Sequence, residues 1–302
     1  MISPGQRTAV VVGAGIQGLL TVLALREKGF AVRVHAAGAD PRSGGLTRSS
    51  TSDGEAIRLI TPLEGCPYVG HAADSPEIAG IFEKPYSQGG WLGRAPTADD
   101  ADWLSKRQVA WRDRDRVAKA VDWYVQATRR AMALWHKIRA SHPRAFDHAE
   151  WLPSPVLRLY SDAETALTAL EVHHKLGIDT TAICSPQTDP SDSEILRGHP
   201  WLGEAWQNGR IGGAFSVGGI ALNIKQFVRS LIDDLERQKV DFIWHSECER
   251  VTFDNTNHIK ELKFTNGTVS ADNYVITPGV IPGENCCGRS ASNSRAWPDA
   301  GC

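Results

Sequence analysis

The clearest pattern in this chain lies near its start. Residues 8–12, Thr-Ala-Val-Val-Val, form a short apolar run rich in β-branched side chains, and Gly13 ends it. Such a run predicts a buried strand. Residues 19–28 carry helical spacing, and Gly29 stands where a helix takes a left-handed residue just past its end. Residues 31–35, Ala-Val-Arg-Val-His, read as a second strand. Strand, glycine turn, helix and strand within about 30 residues make a βαβ unit, whose parallel strands imply a sheet covered by other elements.

Further along the pattern changes. Residues 40–96 are rich in Gly, Ser and Pro with short apolar runs, which predicts loops, a short helix and a strand. A long helical stretch begins beyond Trp103. Val117, Val121, Tyr124, Val125, Thr128, Met132, Trp135 and Ile138 recur at three- and four-residue steps, with Arg114, Arg116, Lys119, Arg129 and Arg130 mostly off that stripe. This is a solvated helix with its stripe in a core. Residues 156–160 read as a strand, and a helix over 162–176 is capped by Asp162 and stopped at Gly177. Residues 215–222 are strand-like, and Asn223 caps a helix over 224–238. Strands are expected at 242–244, 248–253 and 259–265, the last joined to 268–276 through Asn266-Gly267, a two-residue hairpin dipeptide. Residues 281–302 carry neither period and read as an irregular tail.

Composition narrows the class of function. The chain has 302 residues, 41% of them hydrophobic and 23% charged, with a net charge of −2. That is a folded globular chain, and its charge balance argues against a nucleic-acid or anionic-membrane surface as the main business. No run approaches the ~20 apolar residues of a membrane helix. The apolar stretch 9–25 is interrupted by Gly13, Gly15, Gln17 and Gly18, and has no basic leader or cleavage site. Cys66, Cys184, Cys248, Cys286, Cys287 and Cys302 form no Cys-x-x-Cys pair, which suits a reducing compartment and a cytoplasmic location.

The chemistry is concentrated in Gly13-Ala14-Gly15-Ile16-Gln17-Gly18. A G-x-G-x-x-G that follows a strand and opens a helix is a dinucleotide-binding turn. Its first glycine permits the tight turn, the second lets a diphosphate approach the backbone, and the third lets helix and strand pack closely. The unpaired N–H groups and the positive end of the helix dipole hold the phosphates. An acidic residue usually ends the second strand and holds the adenosine ribose. Here that place falls to Ala36, with His35 beside it and Asp40 the nearest acid. Arg33 or Arg42 could instead meet a ribose phosphate, so these residues alone leave FAD and NAD(P) both open. No Ser/His/Asp set, paired-carboxylate site or metal cluster has persuasive spacing. His173, His174 and His199 read as surface or capping histidines. Trp123 and Trp135 read as helix core, and Trp91, among glycines, as a wall for an apolar pocket.

The order of the later segments resolves that choice. Ser43-Gly-Gly-Leu-Thr-Arg-Ser-Ser50 follows the second strand; the helical insertion, residues 156–160 and the helix from Asn223 come next; Cys248-Glu-Arg-Val251 and Ala271-Asp-Asn-Tyr-Val-Ile-Thr-Pro-Gly279 come last. This layout resembles the FAD-dependent D-amino acid oxidase and dehydrogenase superfamily, which includes glycine and sarcosine oxidases, from about Ala9 to Gly279. The resemblance implies an α/β fold: a Rossmann-like FAD-binding domain (residues 1–82 and 223–280) interleaved with an α+β substrate domain (83–222), followed by the tail 281–302. It implies that Gly13, Gly15 and Gly18, with Ala14, Ile16 and Gln17 between them, hold the FAD diphosphate. Ala36 then takes the ribose position, Arg48 and Ser49 approach the ribityl chain and flavin, Val251 meets the adenine through its backbone, and Gly279 closes a turn near the diphosphate. Pro278 departs from the family's pattern in that turn. The implied reaction is oxidation of the CH–NH group of an amino acid or related amine by hydride transfer to the flavin.

Members of that superfamily normally continue past this turn with further substrate-domain strands and an arginine for the substrate carboxylate, which 281–302 does not match. Two other readings therefore accompany the leading one: a shortened homologue that keeps part of the FAD-binding fold without turnover, and an NAD(P)-linked dehydrogenase.

Overall fold

A computed structural model of the chain describes residues 6–43, 57–63, 97–153, 155–184, 197 and 199–277. In chain order the elements begin with β1 (Thr8–Val12), α1 (Ile16–Glu27), β2 (Ala31–His35) and β3 (Ile57–Ile60). Helices α2 (Ala98–Arg112) and α3 (Arg114–Ser141) follow, then a 3₁₀ turn at Pro143–Phe146. Next come β4 (Val156–Tyr160), α4 (Ala163–Lys175), β5 (Thr180–Cys184), α5 (Trp201–Gln207), β6 (Gly213–Val217), β7 (Ile220–Asn223) and α6 (Ile224–Arg237). The last are β8 (Asp241–Ile243), β9 (Cys248–Phe253), β10 (Ile259–Phe264), β11 (Gly267–Val269) and β12 (Asn273–Ile276). The chain divides into two compact units, one of Met1–Arg58, Arg139–Trp151 and Leu222–Cys302, the other of Leu59–Ile138 and Leu152–Ala221.

The first unit is built on a parallel sheet of order β12-β1-β2-β8. β1 lies in its interior, with Val12 opposite Ile276 on one side and His35 on the other. Val10 and Val12 bury against Leu262 and Phe264 of an antiparallel meander, β11-β10-β9, which covers that face. α1 packs on β1 and β2 and touches α6. The amphipathic α6 buries Phe227, Val228, Leu231, Ile232 and Leu235. Each side chain of that kind contributes about 2 kcal/mol on leaving water. Asn223 caps α6 by accepting from the Gln226 N–H at 3.2 Å. The 3₁₀ turn packs on α6, with Phe146 against Phe227, and Ser230 Oγ donates to the Asp147 carbonyl.

The second unit centres on the antiparallel sheet β4-β6-β5. Phe215 and Val217 of β6 bury with Leu63, Val121, Val125 and Ile178 on one face. Ala214 packs with Leu202 and Trp206 of α5 on the other. Asp162 caps α4 by accepting from the Thr165 N–H at 2.7 Å, and Arg129 donates to the carbonyls of Leu176 and Gly177 beyond its end.

Several sequence expectations change here. The helical stretch beyond Trp103 is two helices that part at Asp113, whose ψ of 89° is not helical. Its stripe is buried at Val121 and Val125, but Trp123 is 69% exposed and belongs to no core. His173 is a core histidine, not a surface one: its Nδ1 donates to the Ala169 carbonyl at 2.7 Å and its ring meets the edge of Phe215. His174 stays at the surface, bonded to Thr180. Residues 215–222 break at Gly218-Gly219 into β6 and β7, which belong to different sheets. The hairpin loop is Thr265-Asn266, because Gly267 already pairs with Phe264. The run 268–276 is two strands. Asp272 interrupts it, accepting from both the N–H and the hydroxyl of Thr8, and so sets β12 beside β1 rather than in the meander.

Candidate functional site

The glycine turn sits at the carboxyl end of β1, the edge at which parallel α/β sheets bind ligands. Gly13 has φ +104°, and its N–H donates to the His35 carbonyl at 2.8 Å. A β-carbon there would lie 2.2 Å from the Thr277 carbonyl oxygen, so backbone angle and space both demand glycine. A β-carbon on Gly18 would lie 2.0 Å from the Gly13 carbonyl oxygen. Thr277 fixes the turn from the other side. Its N–H donates to the Val12 carbonyl at 2.8 Å, and its hydroxyl reaches the carbonyls of Val12 at 2.9 Å and Gly13 at 3.4 Å.

α1 begins at Ile16, three residues earlier than its periodicity predicts, because the turn closes straight into the helix. Gly15 is the N-cap, extended at φ −72° and ψ 172°, with no side-chain cap and no acid in the first turn. The amides of Ile16, Gln17 and Gly18 therefore open α1 without a carboxylate competing for them, and the dipole adds positive potential. Backbone donors, no side-chain bulk and no negative charge fit a diphosphate.

Beyond β2 the residues are already engaged with one another. Ala36 is buried; its N–H donates to the Ile243 carbonyl at 3.0 Å, and its carbonyl accepts from the Ser246 N–H at 2.8 Å. His35 is 3% exposed and stacked on Phe264, with ring centroids 3.8 Å apart. Ser246 Oγ donates to Asn266 Oδ1 at 2.7 Å, so it receives the His35 Nδ1 hydrogen at 2.8 Å, and Nε2 is left as a buried lone pair without a partner. Burial, then the neighbouring Arg33 guanidinium, pushes this imidazole down to about 4 against the opposing pull of Asp241.

Arg42 ties the loop after β2 to α6. It donates to Asp40, to Asp233 at 2.6 Å and to both oxygens of Glu236 at 2.6 and 2.8 Å. Burial opposes ionisation of Asp40, but the Arg42 hydrogen bonds prevail and hold its carboxyl below the usual range. Hydrogen bonds to Glu236 and Asp40 raise the already high affinity of Arg42 for its proton. Arg33 is paired with Asp241 at 2.8 Å. Both arginines considered for a ribose phosphate thus have carboxylate partners. No short-range pattern in the sequence could have revealed the Arg42 cluster, whose partners lie up to 194 residues away.

Val251 lies on β9, opposite Leu262 and partly buried against the meander core. Among the described residues β9 has a neighbour on one side only, so its other backbone edge is open. The structure thus brings Gly13, Ala14, Gly15, Ile16, Gln17, Gly18 and Thr277 together, with Ala36 at the end of the adjoining strand. Arg48, Ser49, Trp91, Pro278 and Gly279 lie outside the described residues.

A parallel sheet with an uncapped glycine turn between its inner strand and first helix defines a dinucleotide-binding α/β protein. The sequence profile of the DAO family, FAD dependent oxidoreductases, matches residues 8–285, and the chain belongs to that family. FAD, and not NAD(P), is accordingly its cofactor, and the NAD(P)-linked alternative falls.

The fold is similar to that of glycine oxidase from Bacillus cereus ATCC 14579, with a TM-score of 0.55 at 12% identity over 91% of this chain and 55% of that one. L-amino acid deaminase from Proteus vulgaris gives 0.53 at 13% identity, over 93% and 49% of the respective chains. L-proline dehydrogenase from P. horikoshii gives 0.51 at 14% identity, over 91% and 53%. The chain spans about half the length of these proteins. No curated protein sequence matches it.

Proposed function

We propose that this chain is an FAD-dependent oxidoreductase that oxidises the CH–NH group of an amino acid or related amine. The observation that carries the reading is the glycine turn, open at Gly15 and clamped by Thr277, in a chain of the DAO family. The backbone amides that follow Gly13, up to Gly18, hold the cofactor diphosphate, and the open edge of β9 at Val251 receives the adenine. In this reading Arg48 and Ser49 approach the ribityl chain and flavin, and Gly279 closes the turn near the diphosphate. FAD bound at this turn would supply the two-electron acceptor for that oxidation, in which the substrate carbon would give up a hydride and the nitrogen a proton, leaving an imine for water to hydrolyse. What the protein adds is orientation of that carbon and exclusion of solvent. In this reading most of the substrate domain lies within residues 83–222, apart from Arg139–Trp151, which pack with the first unit, and the FAD-binding segments are taken from 1–82 and 223–280.

The test is optical. The purified chain should be yellow and should bleach anaerobically when a suitable amino acid is added. A yellow protein inert to a broad panel of amino acids and amines would leave flavin binding standing and remove the activity. A colourless protein that takes up no FAD would remove both.

A further inference from the structure

The end of β2 departs from the usual way of holding an adenosine ribose, and its geometry states how. Ala36 offers no polar atom beyond its backbone, and both backbone groups are used, toward Ile243 and Ser246. Asp40 cannot substitute cheaply. Its Oδ1 accepts from the Arg42 N–H and Nε, and its Oδ2 from Nε and Nη2. Asp233 and Glu236 are held by the same guanidinium, and Asp241 is held by Arg33. Glu247, next to Ser246, is engaged as well; its backbone is paired to Thr265 through both its N–H and its carbonyl. Pulling the carboxylate of Asp40, Asp233, Glu236 or Asp241 onto a ribose would break a charge-assisted hydrogen bond to make another, with little net gain.

Neither Arg33 nor Arg42 offers an alternative. Arg42 spends its Nε, Nη1 and Nη2 on three carboxylates, and these four side chains together carry a net charge of −2. A phosphate on the ribose would meet repulsion there, not a free guanidinium.

Resting on the reading that the glycine turn binds the FAD diphosphate, we infer that none of the described carboxylates around the end of β2 holds the adenosine ribose. The site therefore accepts adenine nucleotides that lack the 2′-hydroxyl as readily as those that have it, and disfavours those with a 2′-phosphate. That is a specificity set by what position 36 omits.

The experiment is a calorimetric titration of the flavin-free full chain with ADP, 2′-deoxy-ADP and 2′-phospho-ADP. ADP and 2′-deoxy-ADP are expected to bind within two-fold of each other, and 2′-phospho-ADP several-fold more weakly. A site with a ribose carboxylate would instead lose roughly ten-fold or more with the deoxy compound. Such a loss in the parent chain overturns the inference; if Glu247→Gln abolishes that loss, the ribose belongs to Glu247. Equal or tighter binding of 2′-phospho-ADP overturns the account of Arg42. In the variant Ala36→Glu, ADP should tighten and 2′-deoxy-ADP should fall at least ten-fold behind it. A folded variant that binds both alike would show that position 36 does not face the ribose. Absence of any ADP binding would take away the nucleotide site itself, a failure of the glycine-turn reading that is distinct from loss of discrimination.

Discussion

The Thr277 hydroxyl spans the carbonyls of Val12 and Gly13, at 2.9 and 3.4 Å, while the carbonyl of the same residue occupies the space a β-carbon on Gly13 would need. The turn that opens α1 is therefore shaped by the end of β12 as much as by its own glycines. Replacing Thr277 by Val keeps the side-chain shape and removes the donor. Stability should fall by about 1 kcal/mol, and FAD retention should weaken with it. Thermal melts and the flavin content after gel filtration measure the two.

The glycines of the turn separate into two kinds. Gly13 and Gly18 are required by backbone packing, so Gly18→Ala should lower the stability of the flavin-free chain by about 1–3 kcal/mol, through the clash with the Gly13 carbonyl. Gly15 has an extended backbone open to any residue. Gly15→Val, at an N-cap where valine is disfavoured, should cost the flavin-free chain about 1 kcal/mol and abolish FAD retention. Retention equal to the parent's would displace the diphosphate from this turn.

Acid should act through His35. Its imidazole is held down to about 4 in the fold, against an ordinary 6.5 in the unfolded chain. The unfolded chain therefore binds the extra proton first as pH falls. The stabilising contribution of the neutral ring is complete above pH 6.5 and is lost between 6.5 and about 4. Its size is on the order of 3 kcal/mol. His173, lowered mainly by burial, acts in the same direction. The variant His35→Phe keeps the stack on Phe264, and the difference between parent and variant in denaturant melts across this range isolates the His35 share.

Arg42→Met would leave Asp40, Asp233 and Glu236 facing one another without a cation. It should destabilise the chain by about 2 kcal/mol at pH 7, and less at pH 4, where protonation relieves the repulsion. Arg42→Lys should recover only part of the loss, because a point charge cannot reproduce the fork. Urea melts at the two pH values decide this; equal losses at both would assign the effect to packing.

Exposure predicts opposite outcomes for two neighbours on α3. Trp123→Ser should change stability by less than about 0.5 kcal/mol. Val125→Ala, in the core beneath Phe215 and Val217, should cost about 1–2 kcal/mol.

What could be read from the sequence follows the range of the interactions involved. β1, β2, the glycine turn and the caps at Asp162 and Asn223 rest on neighbours within a few residues, and their chemistry is visible locally. The hairpin slipped by one residue because Asn266-Gly267 favours the tight turn, while the pairing of Phe264 with Gly267 is decided by packing on β1. The split of β11 from β12 was hidden because a continuous β-rich run does not announce that Thr8 holds Asp272 from the far end of the chain. Trp123 sits beside an apolar stripe yet faces out, which a two-letter pattern cannot distinguish. The Arg42 cluster and the His35–Ser246–Asn266 chain join residues far apart in sequence, and no local pattern marks either.

The join between Thr277 and Gly13 closes a span of 264 residues. During synthesis the amino-terminal amides leave the ribosome early, yet the wall that shapes their turn emerges only after β12. A nascent chain therefore presents an unfinished cradle until β12 has emerged, and cofactor loading waits on that closure.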